Sequence, residues 1–207
     1  MIKKLIFDLD NTLIMWRDSY RTAVKNTVES YDIGIDYLLI DKVIEEYENY
    51  YNYYSKQNMV DLINKKFNLN VGLDFVDSWL EGLKDMADLE EGLIDTLDYL
   101  SKKYELVVLT NWFRDSQFGR LQKIGIDKYF KFVYGGEESI KPNPKSYEKA
   151  IGNYSKEECI MIGDNYNVDI KGALDFGMKA IMITNKDIES DGNYKIIHKI
   201  SELKEML

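Results

Sequence analysis

The feature that most constrains this chain is a series of short apolar runs, each closed by polar residues and separated from the next by a longer amphipathic stretch. The runs are Lys4 to Phe7, Glu105 to Leu109, Cys159 to Ile162 and Lys179 to Ile183, with a weaker one from Phe130 to Tyr134 that ends at Gly135-Gly136. Runs of this length bounded by turn residues read as strands. Between them, helices are expected at Gly92 to Lys103, Asp115 to Ile124, Lys145 to Ile151 and Asp169 to Phe176, each long enough to cross between parallel strands. Right-handed crossovers bring all strand C-termini to one edge, and ligands of open α/β sheets bind at that edge. The expectation is an α/β fold with a parallel central sheet.

The stretch from Trp16 to Leu89 breaks the rhythm. It holds no clear strand and reads as several helices rich in Tyr, Asn and Glu, so it looks inserted between the first strand and the helix leading to the second. At 207 residues, the chain has room for a core domain carrying such an insertion. The expected division is a core of residues 1–15 and 90–207 and an inserted helical domain of residues 16–89. No internal repeat or low-complexity linker is present, and no apolar stripe marks an oligomer interface.

A formal charge of −9 argues against broad attraction to nucleic acid. The first apolar run turns acidic at Asp8, too soon for a signal peptide, and no later run reaches membrane-spanning length. Cys159 is the single cysteine and lies in an apolar run, which favours a packed thiol over a reactive one. A cytoplasmic protein is expected.

Chemistry gathers at the strand ends. Asp8 and Asp10 would face one way if the strand conformation continues through them, and two neighbouring carboxylates repel unless a cation or proton sits between. Mg²⁺ suits such a place, because it takes oxygen ligands from one or two carboxylates together with substrate phosphate. Asp164 ends another strand and offers a further carboxylate; Asp169, five residues on, opens the next expected helix, where it could also complement the helix dipole. Thr110 and Asn111 offer a hydroxyl and an amide to phosphate oxygens, and Lys141, in the turn Ile140-Lys141-Pro142-Asn143-Pro144, offers a compact positive charge. Phosphoryl transfer needs a nucleophile, charge neutralisation and a proton for the leaving group.

Four ordered motifs, Asp8-Leu9-Asp10-Asn11-Thr12, Thr110-Asn111, Lys141-Pro142 and Gly163-Asp164-Asn165 with Asp169, resemble those of the haloacid dehalogenase superfamily, in particular its phosphatase branch. The resemblance covers about Met1 to Leu13 and Leu93 to Ile183. It implies a Rossmann-like three-layer core, a helical (C1-type) cap inserted after the first strand, and hydrolysis of a small phosphorylated metabolite through an aspartyl-phosphate. It further implies Asp8 as nucleophile and Asp10 as acid, then base. Mg²⁺ would be held by the Asp8 carboxylate, the Asp10 main-chain carbonyl and Asp164. Thr110 with Asn111 would bind the phosphoryl oxygens, Lys141 would neutralise nucleophile and phosphate, and Asp169 would position Lys141 or a metal-bound water.

A dehalogenase needs no proton-transfer carboxylate two residues after its nucleophile, so Asp10 argues against that activity. A phosphomutase would share all four motifs, and a non-catalytic binding protein would be marked by loss of Asp8, Asp10 or Asp164, none of which is lost. Trp16 and Arg17, where the chain leaves the first strand, and Trp112, beside the Thr110-Asn111 pair, are candidates to line the substrate cleft. Most of the cluster Tyr47, Tyr50, Tyr51, Tyr53 and Tyr54 is assigned to helix packing or solvent, and His198 to a surface or packing role.

Overall fold

The computed structural model describes residues 1–15 and 18–207. Six strands form one sheet: β1 (Lys4–Phe7), β2 (Glu105–Leu109), β3 (Phe132–Tyr134), β4 (Cys159–Gly163), β5 (Lys179–Ile183) and β6 (Lys195–Ile197). Every pairing is parallel, in the order β3-β2-β1-β4-β5-β6. Strand β1 sits between β2 and β4, in register Lys4↔Glu105 and Lys4↔Cys159. The order reverses at β1, and this reversal opens a crevice beyond its C-terminus.

Side-chain alternation on the strands creates the layers. Leu5 and Phe7 of β1 join Leu106, Val108, Ile160 and Ile162 in one buried cluster, while Ile6 joins Val107, Leu109 and Met161 in another. The first cluster is covered by helices α5 (Leu93–Ser101) and α6 (Arg114–Lys123), and the second by α7 (Pro144–Ile151) and α8 (Gly172–Phe176). The core is thus a three-layer α/β structure, as expected. Leu5, Ile6 and Phe7 are fully buried; a strand apolar on both faces is what a sheet covered on both sides selects, and each such side chain contributes about 1.5–3 kcal/mol.

Strand β3 is shorter than the sequence suggests, because Asp127–Tyr129 forms a 3₁₀ turn ahead of it. Strand β6 was not foreseen: its three residues, Lys195-Ile196-Ile197, are too few to show a period, and its pairing with β5 alone defines it.

Among the described residues, four α-helices separate β1 from α5 in the chain: α1 (Ser19–Ser30), α2 (Ile40–Tyr50), α3 (Lys56–Phe67) and α4 (Leu73–Lys84). They share a third apolar cluster, which includes Tyr47, Tyr54, Phe75 and Trp79 together with Trp112, Phe113 and Ile140 from loops at the sheet's C-terminal edge. Backbone bonds tie them down there: Tyr54 N–H donates to Gly136 O at 2.7 Å, and Ile140 N–H to Asn52 O at 2.9 Å. Among the described residues no helix is long and apolar enough to cross a membrane.

Candidate active site

The site lies where β1, β2 and β4 end. Strand β1 stops at Phe7, although the Asp8 N–H still donates to Ile162 O at 2.8 Å. The chain then turns tightly: Leu13 and Ile14 both donate to Leu9 O, and Asn11 adopts φ 57°, a left-handed conformation that asparagine tolerates. This turn sends the two carboxylates to different cations, not along one strand face. Asp8 Oδ1 lies 2.6 Å from Lys141 Nζ, and Asp10 Oδ1 lies 2.6 Å from Arg120 Nη1.

Lys141 is the hub. Its ammonium is buried and bridges Asp8 Oδ1 and Asp169 Oδ1, each at 2.6 Å. Burial opposes the charge, but Asp169 and Asp8 outweigh it and hold the ammonium above its usual range. Asn111 fixes the backbone beneath it: the Asn111 amide donates to Lys141 O at 2.8 Å, and the Lys141 N–H donates to Asn111 Oδ1 at 2.7 Å.

Asp169 does not open a helix. The helical segment begins earlier, at Tyr166, as a wide π-type turn running to Lys171 and capped by Asn165. Asp169 lies within that turn, buried, and its Oδ2 accepts the Asn165 N–H at 3.1 Å while Oδ1 faces Lys141. One carboxylate thus meets both the start of this turn and the Lys141 ammonium.

Carboxylate oxygens of Asp8, Asp164 and Asp169 all lie within 4.8 Å of one another. The Asp10 carboxylate is not part of this trio, so electrostatic repulsion gathers around Asp164 and not between Asp8 and Asp10. Burial, with Asp169 nearby, pushes the Asp164 carboxyl up to about 6. Burial likewise pushes the Asp8 carboxyl up, against the pull of Lys141. An all-oxygen, crowded anionic site of this kind matches the donors that a hard divalent cation such as Mg²⁺ selects.

Thr110 is buried at the end of β2, and its Oγ1 accepts the Gln117 amide at 3.0 Å. With that bond accepted, the hydroxyl still carries its own proton as a donor. Trp112, 4% exposed, stacks edge-on with Tyr20 and Tyr54, and all three line a cleft of about 320 Å³ that also reaches Asp8, Lys141 and Asp164. Ile44 and Glu48 of α2 also line it, and Glu48 accepts the Tyr54 hydroxyl at 2.9 Å. Trp16 and Arg17 lie outside the described residues. Of the tyrosine cluster, Tyr47 is core, Tyr50 is exposed and Tyr54 reaches the cleft. His198 is exposed, with Nδ1 2.7 Å from Thr184 O.

The profile of haloacid dehalogenase-like hydrolases matches residues 5–183. The chain belongs to this family. It is accordingly a hydrolase, and its relatives include phosphatases. It is 26% identical to a glyceraldehyde 3-phosphate phosphatase of Methanothermobacter thermautotrophicus, with 100% of both chains covered. It is 27% identical to the pyrimidine 5′-nucleotidase PynA of Streptococcus pneumoniae, covering 99% of this chain and 93% of that one. In fold it resembles the magnesium-bound HAD-hydrolase YfnB of Bacillus subtilis, with a TM-score of 0.75 at 20% identity over 100% of this chain and 98% of the other.

Tyr20, Gln117 and Arg120, which surround Asp10, and Ile44 and Glu48 of the cleft wall all escaped the sequence reading. A signal was available for two of them, since Gln117 and Arg120 are polar residues three apart on the helix following Thr110-Asn111, at positions that face the core.

Proposed function

We propose that the chain is an Mg²⁺-dependent phosphomonoester hydrolase acting on a small phosphorylated metabolite through an aspartyl-phosphate on Asp8. The observation that carries the reading is the Lys141 ammonium, 2.6 Å from the nucleophilic carboxylate and 2.6 Å from Asp169, beside Thr110 at the sheet's C-terminal edge. A carboxylate and an ammonium so placed suit an incoming phosphoryl group better than a neutral substrate.

In the first step an Asp8 carboxylate oxygen attacks phosphorus in line, the bond from phosphorus to the ester oxygen breaks, and Asp10 gives that oxygen a proton. In the second, Asp10 takes a proton from water as the water oxygen attacks the aspartyl-phosphate. Inorganic phosphate leaves and the Asp8 carboxylate returns. Lys141 offsets charge on the carboxylate and the equatorial oxygens, and the Thr110 hydroxyl donates to one of those oxygens. Asp8, Asp164 and the Asp10 main-chain carbonyl would hold Mg²⁺, which supplies further neutralisation of the phosphoryl oxygens when bound.

Residues 16–89 act as a cap over this cleft, a role supported by Ile44, Glu48 and Tyr54 lining it together with Asp8. The cleft's volume of about 320 Å³ favours a small ester over a protein or nucleic acid. A cytoplasmic setting fits a chain whose single cysteine is buried and free.

The test is phosphate release from a panel of small phosphomonoesters, with Mg²⁺ and with excess chelator, for wild type, Asp8→Asn and Asp164→Asn. Release that needs Mg²⁺ and disappears in Asp8→Asn is expected. At one hundred times its Kd the ion should also stabilise wild type by about 2.7 kcal/mol, roughly 5–10 °C in Tm, and Asp164→Asn should lose that shift. Full activity of Asp8→Asn, or no release from any ester, would overturn the proposal.

A further inference from the structure

Three donors converge on the Asp10 carboxylate. Arg120 Nη1 reaches Oδ1 at 2.6 Å, while the Gln117 amide at 2.8 Å and the Tyr20 hydroxyl at 2.7 Å both reach Oδ2. Gln117 and Arg120 come from one face of α6 and are fully buried, with Arg120 Nη1 also donating to Gln117 Oε1 at 2.9 Å. The Gln117 amide additionally touches the Thr110 hydroxyl at 3.0 Å, so one side chain ties Asp10 to the phosphate-facing end of β2.

Plain packing explains this poorly. A buried guanidinium is costly to desolvate unless its partners are well placed, and Arg120 is fully buried. Arg120 spends a short charge-assisted bond on one oxygen of Asp10 and anchors its own Nε on Met86 O at 3.2 Å. The guanidinium is thereby held at both ends. Only Nη1 of its fork meets Asp10, Nη2 being buried with no hydrogen-bond partner among the described residues; the Gln117 amide and the Tyr20 hydroxyl engage the other oxygen, so both Asp10 oxygens are held.

We propose that Arg120 and Gln117 are positioning residues for proton transfer: they aim the Asp10 carboxylate at the ester oxygen and hold it in step with Thr110. The inference rests on the reading of Asp10 as the acid and base of a phosphatase. Neither residue touches the reacting atoms; both act through the Asp10 carboxylate that they hold. General acid–base catalysis is worth about 10²–10⁴-fold, and it depends on hydrogen-bond reach to the atom that takes the proton.

The experiment compares kcat/KM for an alkyl phosphomonoester, whose alkoxide must be protonated as it leaves, with that for 4-nitrophenyl phosphate, whose phenolate leaves unaided. Gln117→Leu and Arg120→Met should lower kcat/KM on the alkyl ester by about 100-fold and on the nitrophenyl ester by less than about tenfold, with Asp10→Asn giving the same pattern. Arg120→Lys should recover part of the alkyl-ester rate by restoring a cation opposite Oδ1. If Arg120→Met fails to fold, Gln117→Leu and Arg120→Lys decide the matter alone. Equal losses on both esters in folded variants, or no loss on either, would overturn the positioning role. A wild type that hydrolyses neither ester would instead overturn the phosphatase reading, and the inference with it.

Discussion

Gly163 makes room for Asp169. A Cβ on Gly163 would collide with Cβ, Cγ and Oδ2 of the Asp169 side chain, the carboxylate that steadies Lys141. The glycine that ends β4 is therefore required by packing and not by backbone conformation, since only a hydrogen fits between the strand and the folded-back carboxylate.

Gly163→Ala should consequently fold and lose activity. Asp169 must move, Lys141 loses one of its two anchors, and a misplacement on the order of 1 Å at a reacting centre costs about 100-fold in turnover. Steady-state kinetics with a parallel thermal melt would check it. A variant with wild-type turnover would show that Asp169 does not set the position of Lys141.

Asn111 offers a second test of the same lysine. Its side chain exchanges two hydrogen bonds with the Lys141 main chain, so Asn111→Ala should destabilise the protein by about 2 kcal/mol, at about 1 kcal/mol for each bond. Turnover should fall as well, because Lys141 loses its support from below. If the main work of Asn111 were direct contact with phosphate, the variant would show weaker inhibition by inorganic phosphate with no change in denaturant midpoint. Urea titration and phosphate inhibition together separate the two outcomes.

Cys159 should be inert. It is buried on β4, and burial pushes its thiol up to about 11. Iodoacetamide at pH 8 should leave the native protein unmodified and alkylate it once in urea, read by mass spectrometry. The sign of the linked stability follows from the direction of the shift. An unfolded thiol ionises near about 8.5, while the folded one keeps its proton. The contribution is present in full below the unfolded value and is lost as pH rises from there towards about 11. Cys159→Ala should show a shallower loss of stability over that window than wild type, and identical slopes would rule the thiol out as a contributor.

The sheet was legible because a strand buried on both faces needs a continuous apolar run. Leu5-Ile6-Phe7 and Cys159-Ile160-Met161-Ile162 announce themselves for that reason, and the ligand edge follows from the handedness of their connections. Asp8, Asp164, Thr110 and Lys141 were legible for a related reason, since each stands directly beyond such a run or in a proline-bounded turn. The sequence by itself determined the three-layer core and the residues at its edge. It did not determine their partners. Whether Asp10 faces Asp8 or Arg120 depends on a turn at Asn11 and on the approach of α6, 110 residues away in the chain. Likewise, Asp169 reaches Lys141 only because a wide helical turn and Gly163 let its side chain fold back. Such pairings are set by how separate elements pack, so only the tertiary structure decided which charge answers which.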